Sequence, residues 1–304
     1  MIRIGIILIA VLALYYGSTH RGLTSNTVSS THATTKNILI VGSTALQPLV
    51  EKASSMYEKE NPNTSISVQG GGSGSGLTQV QAGSVQIGDS DIFASQEEGI
   101  KPSKIVDHKV AVVGIAPVVN KDINVSNLSM KQLRDIFTGK ITNWKDVGGP
   151  DMAITVVNRS SGSGTRTVFE DSVLKGETAV KAQEQDSNGT VQKIISSTPG
   201  SISYLASGYI SGKNLRAVKV DNVSLTTENI ENNKWKIWGY EHMYTHGKAE
   251  GQTASFIKYF KSKKVQNGIV KELGYIPLAG MKVDKKFSRK GNEQVIMARR
   301  NKKK

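Results

Sequence analysis

Three short segments rich in glycine and hydroxyl side chains stand where a predicted strand meets a predicted helix. They read GSTA at 42–45, GSGSG at 72–76 and GSGT at 162–165. The first N–H groups of a helix have no acceptor within the helix and lie at the positive end of its dipole. Glycine lets a ligand approach the backbone, and Ser or Thr hydroxyls add further donors. One such segment is weak evidence, because Ser and Thr cap helices widely, but three in one chain predict a site for a small anion.

Two charged residues beside these segments narrow the choice of anion. Arg159 precedes the third segment, and a guanidinium can hold a tetrahedral oxyanion with two parallel hydrogen bonds. Asp91, in GDSDIF, would repel a fully deprotonated oxyanion but can accept a hydrogen bond from the O–H of hydrogen phosphate. Sulfate has no such proton near neutral pH. The alternative interpretation is that Asp91 is a surface turn residue and Arg159 the partner in a structural ion pair.

The elements that would position these residues alternate between strand and helix, which predicts an α/β sheet. Apolar runs at Asn37–Gly42 and Ile154–Asn158 predict strands before the first and third segments. Helical spacing over Thr44–Glu60 and Thr165–Leu174 predicts the helices that follow them. The longest apolar run after the N-terminus, Val110–Asn120, predicts either a central strand or a segment that crosses between two lobes.

The two ends of the 304-residue chain differ from its middle. Arg3 precedes an apolar run over 4–16, which predicts a signal peptide or membrane anchor in residues 1–17, and a flexible Ser/Thr/Asn-rich tether follows in residues 18–36. Lys and Arg dominate residues 284–304, which we expect to be a disordered basic tail. The formal charge of +14 therefore describes the tail more than the anion site. Because there is no cysteine, disulfides, thiolate metal sites and a cysteine nucleophile are excluded.

Several separated motifs resemble one known family. GSTALQPLVEKAS, VQGGGSGSGLTQVQAGSVQIGDSDIFAS, DIFTGKITNWKDVGG and VVNRSSGSGTRTVFED occur in the order and spacing of the PstS family, the phosphate-binding proteins of bacterial phosphate ABC transporters, in its Gram-positive form. The resemblance covers about residues 37–283. It implies an α/β, two-lobed periplasmic-binding-protein (type II) fold with the ligand cleft between the lobes. It also implies capture of inorganic phosphate and its delivery to the membrane permease subunits, without catalysis, metal or cofactor.

The resemblance also implies the organisation of the chain. Residues 37–115 and 236–283 would form lobe 1, and residues 116–235 would form lobe 2. The expected protein is monomeric and extracytoplasmic, either held at the cell surface by its N-terminal apolar segment or secreted. The implied phosphate ligands are Ser43, Thr44, Ala45, Ser73, Asp91, Arg159, Ser163, Gly164 and Thr165.

Two departures from the family pattern matter. Some members have an aspartate two residues after the arginine, where this chain has Ser161, so Arg159 would lack that internal partner. The lipid-anchor cysteine of many Gram-positive members is absent as well.

Other classes of function remain as alternatives. A secreted phosphatase would need a nucleophile and a base, but neither Ser73 nor Ser163 lies in a G-x-S-x-G motif. His242 and His246 have helical spacing without the glutamate of zinc proteases, and no glycine loop ends in GK[ST]. A binding protein for another tetrahedral oxyanion keeps the fold and changes the ligand. A nucleic-acid binder is disfavoured, because the basic residues lie in the tail without aromatic side chains beside them.

Overall fold

The computed structural model describes residues 36–212, 214–288 and 293–299. The predicted leader (1–17) and tether (18–36) lie outside these residues, except for Lys36. The strands are β1 Lys36–Gly42, β2 Thr64–Gly70, β3 Ile87–Ser90, β4 Ile105–Asn120, β5 Asn127–Leu128, β6 Thr155–Arg159, β7 Gln183–Gln185, β8 Ser201–Ala206, β9 Leu215–Ala217, β10 Lys219–Val220, β11 Trp238–His246, β12 Val283–Ser288 and β13 Glu293–Ala298. The α-helices are α1 Gln47–Glu60, α2 Ser73–Gln81, α3 Met130–Phe137, α4 Gly164–Val173, α5 Asn188–Ser197, α6 Thr227–Glu231, α7 Gly251–Phe260, α8 Lys263–Asn267 and α9 Ile269–Glu272.

One mixed sheet organises these elements. Its strands run in the order β2-β1-β3-β11-β4-β8-β6-β7, with β9 paired to β4. β1 pairs in parallel with both β2 and β3, and β6 pairs in parallel with β7 and β8. Parallel neighbours require helical crossovers, so the alternation of strand and helix along the chain is the signature of this sheet. The predicted α/β class is confirmed.

Strand β4 connects the two halves of the sheet. Its first part, up to Gly114, pairs antiparallel with β11, and from Ile115 onward it pairs with β8. Every residue from Val110 to Asn120 is buried, which explains why this stretch is an unbroken apolar run. The segment is therefore a central strand that changes its partner midway along its length.

The core lies on both faces of the sheet. On one side α1 and α7 bury Leu49, Val50 and Phe256 against β1. In the other half Phe169 of α4 stacks on Tyr204 of β8, with ring centroids 4.0 Å apart. Among the described residues no helix is both long and apolar enough to cross a bilayer.

The expectation of a disordered basic tail does not hold for the described part of residues 284–304. There β12 and β13 pair as an antiparallel hairpin. Its Asp284 accepts hydrogen bonds from Tyr240 (3.0 Å) and from Arg299 (2.8 Å). Lys285 is buried, with its ammonium 4.0 Å from the centre of the Trp238 ring and donating to the Trp238 carbonyl. Apolar stems on long cationic side chains can pack in this way, so a basic composition did not preclude an ordered hairpin.

Burial lowers the pKa of Lys285 to about 7, from its ordinary value of 10.5. Between these two values the unfolded chain binds a proton that the folded chain does not, so the free energy of unfolding should rise with pH across this window. Below about pH 7 both states are protonated, and the full cost of burying the ammonium remains. The Lys285→Met variant should lose this pH dependence and should be more stable than the wild type at pH 6.5, as measured by thermal unfolding. Lys286→Met is the control, because Lys286 is the exposed neighbour of Lys285. Its stability should depend on pH as that of the wild type does.

Candidate anion site

The three glycine- and hydroxyl-rich segments meet in space. They lie after β1, β2 and β6, at the starts of α1, α2 and α4. The Gly72 N–H donates to the Gly42 carbonyl at 2.9 Å, and the Gly74 N–H donates to the Gly162 carbonyl at 3.0 Å. β1 and β2 are parallel, so their segments lie at the same edge of their half of the sheet. β6 runs in the opposite direction in the other half, beyond the point where β4 changes partners, so its segment faces theirs. The segments therefore converge although about 90 residues separate the second from the third.

Asp91 lies at the centre of the three segments and is 3% exposed. Its carboxylate accepts hydrogen bonds from the Ser43 hydroxyl and, at 2.8 Å, from the Thr165 hydroxyl. Its backbone N–H donates to the Ser73 hydroxyl at 2.9 Å. Asp91 thus contacts one hydroxyl residue from each segment, and the interpretation of it as a surface turn residue is wrong.

Arg159, the last residue of β6, is 1% exposed and has no carboxylate hydrogen-bonded to it among the described residues. Its Nε donates to the Gln185 carbonyl at 3.1 Å, and its Nη2 donates to the Asp186 carbonyl at 2.9 Å. Two backbone carbonyls therefore orient the guanidinium in place of the aspartate that Ser161 replaces. Because carbonyls carry no net charge, they orient Arg159 without forming an ion pair with it.

The remaining nitrogen of Arg159 carries the clearest sign of a ligand. Nη1 is buried and has no hydrogen-bond partner within the described residues. An unpaired buried donor is costly, and more so on a charged group. Burial lowers the pKa of Arg159, which expresses the same cost. An oxyanion bound here would supply both the missing acceptor and the missing charge.

Asn188 belongs to this site and was not found by sequence reasoning. Its backbone N–H and its side-chain amide donate to the Thr44 hydroxyl oxygen, at 3.3 and 3.2 Å. Arg159 Nη2 also donates to that oxygen, at 3.3 Å. A hydroxyl oxygen has two lone pairs, and these three nearby donors are enough to fill both, so the hydroxyl hydrogen of Thr44 is left to be donated to another group. Asn188 therefore directs Thr44 to act as a donor.

A weak signal for Asn188 was present in the sequence. It begins α5 directly after Ser187, which caps the helix by accepting from the Thr190 N–H at 3.1 Å. This is a fourth junction of strand and helix with small polar residues. It was missed because the preceding strand, β7, is the three-residue QEQ and has no apolar run.

The other predicted ligands serve partly as caps. The Ser43 hydroxyl oxygen accepts from the Ala45 N–H at 3.0 Å, and the Ser163 hydroxyl accepts from the Arg166 N–H at 3.2 Å. Gly164 and Thr165 are the first residues of α4, so their N–H groups have no acceptor within the helix. The structure therefore brings all nine predicted residues into one buried cluster, with Gly164 pressed against Ser73 and Asp91.

Gly164 is required by this close approach. A Cβ at this position would lie 2.2 Å from the Ser73 hydroxyl oxygen and 3.0 Å from the Asp91 Cβ. Gly164→Ala should force the segments apart and weaken anion binding by about tenfold or more, measured by calorimetric titration. Gly189→Ala is the matched control, because Gly189 also lies in the first turn of a helix at this site. Its added Cβ would meet only one Tyr209 ring carbon at 3.8 Å, so an equal loss in both variants would contradict the steric argument.

A separate groove of about 990 Å³ lies elsewhere on the surface. It is lined by residues that include Tyr57, His108 and Lys258, and by none of the nine predicted ligands. Its walls are mainly apolar. Among the described residues, no group of three His, Asp or Glu side chains is placed to hold a metal ion.

Comparison with known proteins identifies the family. Residues 27–264 match the PBP superfamily domain. The phosphate-binding protein PstS of Bacillus subtilis is 47% identical over 247 residues, which are 81% of this chain and 82% of that protein.

Two solved structures are also similar. A putative phosphate ABC transporter substrate-binding protein with bound phosphate from Clostridium perfringens is 31% identical, with a TM-score of 0.74 over 80% of this chain and 100% of that one. An ABC-type phosphate transport receptor from Vibrio cholerae is 28% identical, with a TM-score of 0.64 over 79% of this chain and 99% of that one. The chain thus belongs to the PBP superfamily and, within it, to the PstS family of phosphate-binding proteins.

Proposed function

We propose that this protein captures inorganic phosphate at the Asp91–Arg159 site and delivers it, chemically unchanged, to the permease subunits of an ABC transporter. The observation that carries the proposal is the buried guanidinium of Arg159, whose Nη1 lacks a partner within the described residues. The names of its relatives support phosphate as the ligand.

The donors around Asp91 suit a tetrahedral anion. Thr44 has a hydroxyl hydrogen to give, and α4 offers the N–H groups of Gly164 and Thr165. Ser43 and Thr165 now donate to Asp91, and both hydroxyls can turn toward a bound anion. Asp91 would then accept the O–H of hydrogen phosphate, which replaces one of the two hydrogen bonds that the hydroxyls withdraw.

Sulfate should bind more weakly than phosphate at the same site. It has no proton near neutral pH, so it would face the Asp91 carboxylate with like charge and without a hydrogen bond. This argument favours phosphate over a fully deprotonated oxyanion such as sulfate or molybdate. Anion titrations and an ester-hydrolysis assay distinguish this function from a binding protein for another oxyanion and from a secreted phosphatase.

We further propose that the site lies between two lobes, formed by residues 37–115 with 236–283 and by residues 116–235. Thr44, Ser73 and Asp91 belong to the first lobe in this division, and Arg159, Thr165 and Asn188 belong to the second. An anion bonded to residues of both lobes should favour the closed arrangement, because only there are all donors used.

The expected cellular context is also part of the proposal. The protein would act outside the cytoplasm as a monomer, either retained by its N-terminal apolar segment or secreted. A binding site that contains no catalytic residue and no metal or cofactor is sufficient for this role, since the phosphate is carried and not transformed.

Calorimetric titration with phosphate, sulfate and molybdate tests the ligand. We expect phosphate to bind and the other two anions to bind far more weakly near pH 7. Equal affinities for phosphate and sulfate would refute the proposal.

Two further measurements test the mode of action. Small-angle scattering with and without phosphate should show a smaller radius of gyration when phosphate is bound, and an unchanged radius would remove only the lobe motion. Hydrolysis of a phosphate ester should not exceed background. Turnover that depends on Ser73 or Ser163 would establish an enzyme instead.

A further inference from the structure

Glu241, in the middle of β11, is a fully buried acid with an exposure of 0%. Across the antiparallel pair His242 lies opposite Ser90, and Met243 opposite Asp89. Continuing this register places Glu241 beside Asp91. Side chains alternate along a strand, so Glu241 shares a face of the sheet with Asp89 and Asp91, while His242 projects to the other face.

The contacts of the Glu241 carboxyl are unusual. Neither of its oxygens meets a donor group within the described residues. The acid that faces it when this register is continued is Asp91, whose negative charge acts on Glu241. Two ionised carboxylates repel each other and cannot share a hydrogen bond, because both only accept. A contact between these two acids therefore requires a proton on one of them.

Their surroundings decide which acid holds it. Asp91 already accepts hydrogens from the Ser43 and Thr165 hydroxyls, so its carboxyl serves as an acceptor. Glu241 has no comparable donor. Burial, followed by the negative charge of Asp91, raises the pKa of Glu241 well above its ordinary value.

The other titratable groups near Glu241 do not reverse this assignment. Asp89 on β3 is fully buried too, and burial, followed by the charge on Asp91, also raises its pKa. Tyr209 and Tyr275 lie near both acids and are held neutral by burial. The cation Arg159 is directed by its hydrogen bonds toward Thr44, Gln185 and Asp186. Nothing within the described residues therefore compensates an ionised Glu241.

We propose that Glu241 is a specificity-determining residue of the anion site: a neutral carboxylic acid whose O–H donates to Asp91 and holds the Asp91 carboxyl in place as the acceptor for the anion. This inference rests on the proposed phosphate binding and deepens it. Without this hydrogen bond the Asp91 carboxyl would lose the contact that fixes its orientation toward the O–H of hydrogen phosphate. The site would then distinguish less well between hydrogen phosphate and sulfate.

Titrations with phosphate and sulfate at pH 6 test the effect on specificity. Glu241→Met removes the donor at similar size, and we expect the ratio of phosphate to sulfate affinity to fall by about tenfold. Glu241→Gln retains an N–H that can donate to Asp91, so its ratio should stay within about threefold of the wild type. Asp91→Asn is the reference for a site that has lost its discrimination. Thermal unfolding of each variant verifies that it is folded.

Infrared spectroscopy at pH 8 tests the proton directly. Ordinary carboxyl groups are ionised at this pH, so a carbonyl-stretching band of a protonated carboxylic acid reports a buried neutral acid. We expect the wild type to show such a band and Glu241→Gln to lose it or lose one component of it. Asp89→Asn is the matched control, since Asp89 is a second buried acid on the same face, and it should leave the Glu241 component in place.

The outcomes separate this inference from the proposed function. If the wild type does not prefer phosphate over sulfate, the proposed function fails and the inference fails with it. If the wild type and Asp91→Asn behave as expected but Glu241→Met retains the wild-type ratio, only the role of Glu241 is overturned. The role is equally overturned if the infrared spectrum is unchanged in Glu241→Gln, or if this variant discriminates as poorly as Asp91→Asn.

Discussion

Replacing Arg159 with methionine should weaken phosphate binding by about a hundredfold or more, because truncating one partner of a buried charge pair costs about 2–5 kcal/mol. The guanidinium is 1% exposed, and two backbone carbonyls hold it in place. Its Nη1 has no other partner within the described residues, so this donor is free for the anion. Calorimetric titration at constant pH and salt measures the loss.

Arg159→Lys refines this expectation. The lysine keeps the charge but lacks the planar guanidinium. Its single nitrogen cannot replace both the Nε that donates to Gln185 and the Nη2 that donates to Asp186 and Thr44. We expect phosphate affinity to lie between those of the wild type and Arg159→Met. Arg216→Lys is the matched control, because Arg216 is a half-buried arginine that donates to the Ile123 carbonyl and contacts none of the proposed ligands. Equal, small effects at Arg159 and Arg216 would refute the role of Arg159.

Replacing Asp91 with asparagine should largely remove the preference for phosphate over sulfate. The amide can donate a hydrogen bond where the carboxylate could only accept. The substitution also removes a negative charge at a residue that is only 3% exposed. Sulfate should therefore gain affinity, while hydrogen phosphate loses the acceptor for its O–H. We expect the ratio of phosphate to sulfate affinity to fall by about a hundredfold, in line with a charged hydrogen bond of about 1.5–3 kcal/mol combined with removal of a like charge.

The control for this variant is Asp186→Asn. Asp186 also lies beside Arg159, but it contacts the guanidinium through its backbone carbonyl, which the substitution leaves in place. Its ratio should stay near that of the wild type. A ratio that is unchanged in Asp91→Asn would remove Asp91 from the anion site.

The amino-acid sequence by itself was sufficient for the class of the fold and for most of the proposed site. The strands before Ser43 and Arg159 and the helices after them were predictable, because apolar runs and capping residues are local signals that neighbouring residues carry. The motifs around Asp91 and Arg159 were specific enough to indicate the family, which the comparisons confirm.

Other features depend on contacts between distant parts of the chain. Asn188 reaches Thr44, 144 positions away, and its own segment lacks an apolar strand that would have drawn attention to it. The orientation of Arg159 by two carbonyls could not be read from Ser161, since the carbonyls belong to a segment 26 and 27 residues further along. A composition dominated by Lys and Arg predicted disorder for residues 284–304, yet β12 packs Lys285 against Trp238.

Glu241 illustrates the same division most clearly. In the sequence it is one acid between Tyr240 and His242, with no motif that marks it. Its burial and its contact with Asp91 arise only because β11 runs antiparallel beside β3 in one particular register. Sequence patterns determine which residues form strands and helices, because those preferences are local. Which carboxyl loses its water and which keeps its proton is decided by tertiary structure, because burial and charge depend on what packs from elsewhere in the chain.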